Sequence, residues 1–218
     1  MSLSPQTVSY LYRDQRLLEL IHFCGALSVN QARSLLFPFK TGYRKANDRL
    51  LTLYRSKQIT RGRTLSERSY VYYHSRPRQI DHVLGVNWVY CWMQRQPWST
   101  LKSWKYTPDY EMIIPDAEAS LLDATTGRKR AVFVEFDRDT APMDKVQLYN
   151  RFYEGRDYRG AEWAQGPDAM FPEVMIVTIS RTRAKCIEGL VARENRNGIR
   201  FRVKLLEVIR GESARLTG

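Results

Sequence analysis

The sequence contains few of the residues that build disulfide-linked or zinc-linked folds. Its 218 residues include three cysteines and three histidines, and Cys24, Cys91 and Cys186 are far apart in the chain. Scattered cysteines in odd number, outside any metal-ligand spacing, predict neither a disulfide framework nor a zinc site. The reduced cytoplasm is therefore the expected compartment.

Long apolar runs and glycine-rich phosphate loops are also missing. The longest apolar stretch, around residues 82–93, is too short and too polar to span a bilayer, and the first sixteen residues lack an apolar signal core. No repeat or low-complexity block occurs, and no serine or cysteine has the setting of a nucleophile. We expect a soluble protein without a membrane partner, and these absences argue against phosphate-loop and catalytic-triad enzymes.

Positive charge is concentrated in the first part of the chain. The net charge is +12, and residues 1–81 contain 14 Lys and Arg against 5 Asp and Glu, a balance of +9. Such a field favours a polyanion, because displacing the counterions condensed on DNA or RNA supplies affinity. A solubilising surface is the plainer alternative. This asymmetry favours two domains, at residues 1–78 and 79–218.

The first domain has the pattern of three short helices. Apolar spacing predicts a helix over residues 14–24, and Ser28 caps a second over 29–37. A third begins near Tyr43, with Ala46, Leu50, Leu51 and Tyr54 facing inward. Its candidate DNA-contacting residues are Lys40, Tyr43, Arg44, Lys45, Asn47 and Arg49. This order is typical of a helix-turn-helix, whose last helix enters the major groove.

A hairpin is expected directly after the third helix. Residues 59–74 show two strand-like runs around a polar turn, with Arg61, Arg63 and Arg68 near its tip. These arginines are placed to reach phosphates or a minor groove, although each alone is more typical of a solvated loop. The pattern predicts an N-terminal winged helix-turn-helix that binds double-stranded DNA. Winged helices also mediate protein contacts, so the fold alone does not establish binding.

The second domain reads as alternating helices and strands. The predicted helices span residues 80–94, 143–153 and 183–194, and the predicted strands span 110–114, 119–122, 131–136, 174–179 and 199–209. The resulting order is α-β-β-β-α-β-α-β, which favours a mixed α/β sheet with helices on both faces in a protein that is α+β overall. Residues 211–218 are expected to fray.

Three carboxylates are expected at one end of this sheet. Asp116 opens one strand, and Glu135 and Asp137 close the next. Acidic oxygens on adjacent strands can hold a hard cation against a phosphate. Where such sites place a lysine, two residues after the second carboxylate, this chain has Asp137, so Lys145 is the best replacement cation and Arg138 the second.

A purely structural alternative exists for this segment. Glu135, Asp137, Arg138 and Asp139 could form an ion-pair and capping network, with Asp139 or Thr140 starting the next helix. Pro142 would fit the first turn of that helix.

Aromatic residues and one long connection offer weaker signals. The aromatic cluster could stack on unpaired bases, although a core role is favoured; it comprises Trp88, Tyr90, Trp92, Trp98, Trp104 and Tyr106. Residues 153–172 read as a long polar insertion in which Arg156 and Arg159 could meet DNA or a partner protein.

The motifs of the second domain resemble those of the PD-(D/E)xK nuclease superfamily. More narrowly, the chain over roughly residues 10–210 resembles the replication-relaxation family of plasmids and integrative elements of Gram-positive bacteria. The resemblance rests on the leading winged helix, HVLGVNWVYCWM at 82–93, Pro115-Asp116-Ala117, FVEFDRDT at 133–140, and the following helix with Lys145 and Tyr149. FVEFDRDT is the most specific piece, and Pro108-Asp109 is a competing copy of the Pro-Asp pair.

The resemblance implies a nuclease-like second domain and DNA binding during replication or relaxation. It implies Asp116 and Glu135 as Mg²⁺ ligands if the site functions, and Asp116, Glu135, Asp137 and Lys145 as the catalytic set. The implied partners are double-stranded DNA and replication or relaxation proteins.

Three functional hypotheses follow from the sequence. The leading one is a DNA-binding protein whose nuclease-like domain is degenerate, because the motif lysine is replaced by Asp137. The second is an active Mg²⁺-dependent endonuclease or nickase. The third is a winged-helix transcriptional regulator whose second domain forms a homodimer.

Overall fold

The chain folds into two compact units, seen in a computed structural model that describes residues 5–138, 144–165 and 169–215. The first unit comprises Met1–Cys91 and Glu212–Gly218, and the second comprises Trp92–Gly211. Seven α-helices, a three-stranded sheet and a five-stranded sheet form within the described residues. The protein is therefore mixed α+β, as expected.

Helices and a small antiparallel sheet form the first unit. Its elements are α1 (Pro5–Cys24), β1 (Leu27–Ser28), α2 (Val29–Leu36), α3 (Gly42–Arg55), β2 (Thr60–Gly62), β3 (Val71–Tyr73) and most of α4 (Ile80–Met93). The sheet order is β1-β3-β2, and both pairings are antiparallel. The three predicted helices and the hairpin are thus all present.

Local chemistry sets the starts of α2 and α3. The Ser28 hydroxyl accepts from the Gln31 amide while the Gln31 side chain accepts from the Ser28 amide, which is a capping box. At the start of α3 a Cβ on Gly42 would lie 1.8 Å from the carbonyl oxygen of Phe37, so only glycine fits there.

One mixed sheet forms the centre of the second unit. Its strands are β4 (Ser99–Tyr106), β5 (Ala117–Asp123), β6 (Lys129–Asp137), β7 (Glu173–Thr178) and β8 (Phe201–Leu205), in that spatial order. The pairs β4–β5 and β5–β6 are antiparallel, whereas β6–β7 and β7–β8 are parallel. Its helices are α5 (Lys145–Gly155), α6 (Arg181–Glu194) and α7 (Leu206–Arg215), whose end belongs to the first unit.

A buried cluster joins the sheet to α5 and α6. Phe133 of β6 and Ile176 of β7 pack with Tyr149 and Phe152 of α5 and Ile187 of α6, and all five are essentially buried. Because side chains alternate along a strand, Glu135 lies on the same face of β6 as Phe133. This packing brings α5 over the carboxyl-terminal end of β6.

Two predicted strands differ from the structure. Residues 110–114 form no strand, because Glu111 has a positive φ of 61° and the Met112 amide bonds back to Tyr110 over 2.6 Å. The first strand of the sheet is instead β4, a polar edge strand. Residues 199–209 were expected as one strand, but the chain enters α7 at Leu206, where Leu206, Ile209 and Ser213 are buried at helical spacing. The tail expected to fray is therefore helical through Arg215.

The boundary between the units also differs from the expected position. The sequence division at 78/79 assigned α4 to the second domain, whereas the structure places α4 as far as Cys91 in the first unit. Ile80 and Leu84 pack against Ala26, Val71 and Tyr73, and this shared core explains the assignment. Within the described residues, no helix is long and apolar enough to cross a membrane.

Candidate functional site

The start of α3 presents an exposed cationic surface. Lys40, Tyr43, Arg44 and Lys45 are exposed, and Asn47 is half-buried. The ammonium of Lys45 lies 5.5 Å from the centre of the Phe39 ring. Four of the six predicted contact residues of this segment thus project into solvent. We refer to Lys40, Tyr43, Arg44 and Lys45 as the α3 surface.

Arg49 has a structural partner in α1. Its guanidinium donates to both carboxylate oxygens of Asp14, with Nε 2.7 Å from Oδ1, and both side chains are mostly buried. A two-pronged arginine–carboxylate pair fixes geometry and neutralises charge. Arg49 therefore joins α1 to α3, and less of its charge is available to an external anion.

A cavity of about 230 Å³ lies beside the α3 surface. Arg13, Arg44, Lys45, Asp48, Arg49 and Phe37 line it. Arg13 was missed by sequence reasoning because it lies in α1, far from α3 in the chain. Only the packing of the two helices brings these cationic side chains together.

The hairpin arginines are held by aromatic rings. The Arg61 guanidinium lies 4.4 Å from the centre of the Tyr54 ring and 4.1 Å from that of Tyr70. Arg63 also lies 4.1 Å from the Tyr70 ring, and it donates to the carbonyl oxygen of Arg68 over 2.9 Å. Tyr54, expected to face inward, is instead 36% exposed. Arg61 and Arg63 are therefore positioned by tyrosines, while Arg68 is exposed.

In the second unit the strand register brings the predicted carboxylates to one edge of the sheet. Asp116 immediately precedes β5, whose first residue Ala117 pairs with Val134 of β6. The Asp116 carboxylate accepts a hydrogen bond from the Phe136 amide over 2.7 Å. Glu135 and Asp137 flank Phe136 on β6. We refer to Asp116, Glu135 and Asp137 as the carboxylate cluster.

Glu135 is buried and engaged through both oxygens. Its Oε2 forms an ion pair with the Lys145 ammonium, and its Oε1 accepts from the Tyr149 hydroxyl over 2.8 Å. Lys145 and Tyr149 are four residues apart on α5 and so lie on one face of the helix. The lysine that the sequence suggested as a replacement cation is thus in direct contact with Glu135.

Asp137 is paired with an arginine that the sequence did not suggest. The guanidinium of Arg183, in the first turn of α6, contacts Asp137 over 3.1 Å, and both side chains are largely buried. Arg138, the second candidate cation, has an exposed side chain. Asp139, Thr140 and Pro142, the expected start of the next helix, lie outside the described residues.

Burial and charge act in opposite directions within this cluster. Burial raises the pKa of Glu135, the Lys145 ammonium opposes that effect, and the Asp116 charge adds to it. Burial by itself would lower the pKa of Lys145, but the charges of Glu135, Asp116 and Asp137 together raise it. Burial also raises the pKa of Tyr149 well above its ordinary value, so its phenol stays protonated.

The described side chains are arranged as ion pairs rather than as ligands of a divalent cation. Within the described ranges, no group of three or more His, Cys, Asp or Glu side chains is placed to hold a metal ion. Both oxygens of Glu135 already accept hydrogen bonds, and the Asp137 carboxylate is paired with the Arg183 guanidinium. An ammonium and a guanidinium thus contact two of the carboxylates to which a divalent cation would bind.

The aromatic cluster and the connection after α5, the other candidates from the sequence, mainly contribute to packing. Trp88, Tyr90, Trp92 and Trp104 are buried, whereas Trp98 is 36% exposed and Tyr106 is half-buried. The connection after α5 contains two short 3-10 helices, at Asp157–Gly160 and Glu162–Ala164. Its aromatic side chains pack inward, and Arg156 and Arg159 are exposed.

Comparison with known proteins gives no family for this chain. No protein-family model matches the sequence. Searches of curated proteins and of solved structures also returned no match.

Proposed function

We propose that the first unit binds double-stranded DNA as a winged helix-turn-helix. In this proposal α3 enters the major groove and the β2–β3 hairpin is the wing. The observation that carries it is the exposed α3 surface, in which Arg44 and Lys45 lie in the first turn of α3 and Lys40 lies just before it. The aromatic support of Arg61 and Arg63 agrees with a hairpin that holds its cations in fixed positions.

Charge supports a polyanionic partner for this unit. The first unit contains 15 Lys and Arg against 6 Asp and Glu, a balance of +9. Cations that neutralise phosphates release condensed counterions, so affinity for duplex DNA falls steeply as salt rises. Duplex of arbitrary sequence is sufficient for a first test, because this contribution does not depend on sequence.

The test removes two cations from the α3 surface. In the double variant Arg44→Ala, Lys45→Ala we expect weaker duplex binding and a shallower dependence of log affinity on log salt. The slope should fall by about one unit for each phosphate that the variant no longer neutralises. Fluorescence anisotropy with a labelled duplex, at several salt concentrations, measures both quantities.

A matched control removes two cations at the other end of α3, where Arg55 is the last helical residue and Lys57 follows it. The double variant Arg55→Ala, Lys57→Ala removes the same charge from two exposed positions. It should retain a steeper slope than the Arg44→Ala, Lys45→Ala variant. Equal effects of the two double variants would mean that net charge alone acts, and would contradict α3 as the recognition helix.

For the second unit we propose a nuclease-like fold whose carboxylate cluster has become an ion-pair network. The β-β-β-α-β-α-β order and the place of Asp116 and Glu135 support the resemblance to the PD-(D/E)xK superfamily. The pairing of Glu135 with Lys145 and of Asp137 with Arg183 supports loss of cleavage. The unit would then add a second DNA or protein contact, as in replication-relaxation proteins of mobile elements.

A Mg²⁺-dependent endonuclease is the competing candidate, and one observation favours it. Lys145 contacts Glu135, and the charges of Glu135 and then Asp116 raise the pKa of Lys145 against the effect of burial, as expected for a displaced motif lysine. Supercoiled plasmid incubated with Mg²⁺ or Mn²⁺ distinguishes the two, because the binding protein leaves it intact. Nicking that disappears in Glu135→Ala would replace our proposal with the endonuclease.

A further inference from the structure

A second concave site lies toward the other end of the same sheet. The carboxylate cluster is at the carboxyl-terminal ends of β6 and β7, whereas this cavity opens near their first residues, Lys129 and Glu173, and the Thr126-Gly127 turn. Its volume of about 660 Å³ is that of a typical small-molecule site. All of its lining residues belong to the second unit.

The cavity contains a buried carboxylate, that of Glu118, of which one oxygen accepts a hydrogen bond from a neighbouring side chain. Glu118 is 6% exposed, and its Oε2 accepts from the Tyr110 hydroxyl, which in turn accepts from the Trp163 indole over 2.9 Å. Within the described part of the chain, the Glu118 side chain makes no other hydrogen bond. Its Oε1 is therefore available to a ligand that carries an N–H group.

Cationic side chains surround the opening of the cavity. Arg128, Lys129 and Arg200 are exposed. The Arg130 guanidinium lies 5.2 Å from the centre of the Trp98 ring, and Arg130 is on the opposite face of β6 from Lys129. The other deeply buried acid, Glu173, is already paired with Arg202 over 2.9 Å. The opening therefore favours an anionic group such as a phosphate.

The cavity also has an apolar wall. It is formed by Trp163, Met170 and Phe171. Trp163 is fixed in place because its ring stacks on Tyr158, at 5.2 Å between centroids and an interplanar angle of 24°. Rigid aromatic side chains beside polar groups are typical of sites for planar ligands.

We propose that this cavity binds a nucleoside phosphate. Glu118 accepts from an N–H on the edge of the base, the Trp163 and Phe171 wall contacts the base, and Lys129 and Arg200 bind the phosphate. A free nucleotide and a nucleotide unit of a single strand share this chemistry. The inference does not depend on DNA binding by the first unit.

Calorimetric titration of the full chain with GMP tests the proposal, since guanine offers two N–H groups on one edge. Glu118→Gln keeps a carbonyl acceptor for Tyr110 but removes the charged acceptor, and should weaken GMP binding by about tenfold or more. Arg200→Ala, at an exposed position, should also weaken it. Arg181→Ala is the control, because Arg181 is exposed and pairs with Glu207 away from the cavity, and it should bind as the wild type does.

A second titration, with a short single-stranded oligonucleotide that contains guanine, identifies the source of the ligand. If the protein binds GMP about as tightly as it binds the oligonucleotide, the ligand is a free nucleotide. If it binds the oligonucleotide but not GMP, and Glu118→Gln weakens that binding, the ligand is a nucleotide unit of a single strand. The proposal is overturned if neither ligand binds, if ribose 5-phosphate binds as tightly as GMP, or if Glu118→Gln binds as the wild type does. The Arg44→Ala, Lys45→Ala variant should bind GMP normally, which separates this result from the DNA-binding test.

Discussion

Buried charge makes Glu135 and Lys145 dependent on each other. The Glu135 side chain is almost inaccessible and that of Lys145 is about one-third exposed, so little water solvates the carboxylate if the lysine is removed. Losing one partner of a buried ion pair leaves an uncompensated charge, which costs more than the pair contributes. The residue-scale prediction therefore concerns the cost of breaking the pair.

Lys145→Met should lower the free energy of unfolding by about 3 kcal/mol near neutral pH. Without the ammonium, the pKa of Glu135 rises further above its ordinary value, because the positive charge that opposed the effect of burial is gone. The folded variant then takes up a proton at a pH where the unfolded chain does not. Its stability deficit relative to wild type should therefore shrink as the pH falls from about 7.5 to about 5. Urea denaturation across that range measures this deficit.

The double variant Glu135→Gln, Lys145→Met is the control for that prediction. It contains neither charge, so its stability relative to wild type should change less with pH than that of Lys145→Met. A deficit in Lys145→Met that stays constant across the pH range would contradict the buried pair.

At the scale of elements, the start of α3 depends on the close approach of two backbone segments. Gly42→Ala should destabilise the protein by roughly 2 kcal/mol or more, because the new methyl group would overlap the Phe37 carbonyl. Gly189→Ala is the matched control, since Gly189 lies within α6 with open space around it. That change should be neutral or stabilise by up to about 1 kcal/mol. Equal effects on thermal unfolding would disprove the contact.

The capping box of α2 makes a second prediction at this scale. Ser28→Ala removes the acceptor for the Gln31 amide, and should cost about 1 kcal/mol of stability. Ser75→Ala, at an exposed position of the same unit, should change stability by less than about 0.5 kcal/mol. Chemical denaturation of both variants gives the comparison, and a Ser28→Ala cost no larger than that of the control would argue against the cap.

For the whole molecule, burial divides the three thiols into two classes. Cys24 and Cys91 are buried, whereas Cys186 is exposed. A thiol-reactive chromogenic reagent should therefore modify one equivalent rapidly in the native protein and three after denaturation. Cys186→Ser should abolish the rapid phase. Rapid modification of two or more thiols in the native protein would contradict this packing.

Predictability from the sequence differed between local and distant features. The Ser28 cap and the starts of α2 and α3 follow from neighbouring residues, and these predictions are confirmed. Strand β4 was missed because an edge strand with one buried face can carry Thr, Lys and Ser. The pairing of Asp137 with Arg183 was missed because 46 residues separate them in the chain. Arg49 was assigned to an outer face because nothing near it in sequence indicates Asp14.

The sequence by itself determined most of the element types, the charge asymmetry and the delivery of Asp116, Glu135 and Asp137 to one region, because each depends on short-range pattern and strand alternation. The tertiary structure decided which cations those carboxylates contact, where the units divide, and that Glu118 lines a cavity with Arg200. Side chains far apart in sequence meet only when helices pack on the sheet. Burial then sets the strength of their electrostatic interactions, and burial is a property of the folded chain.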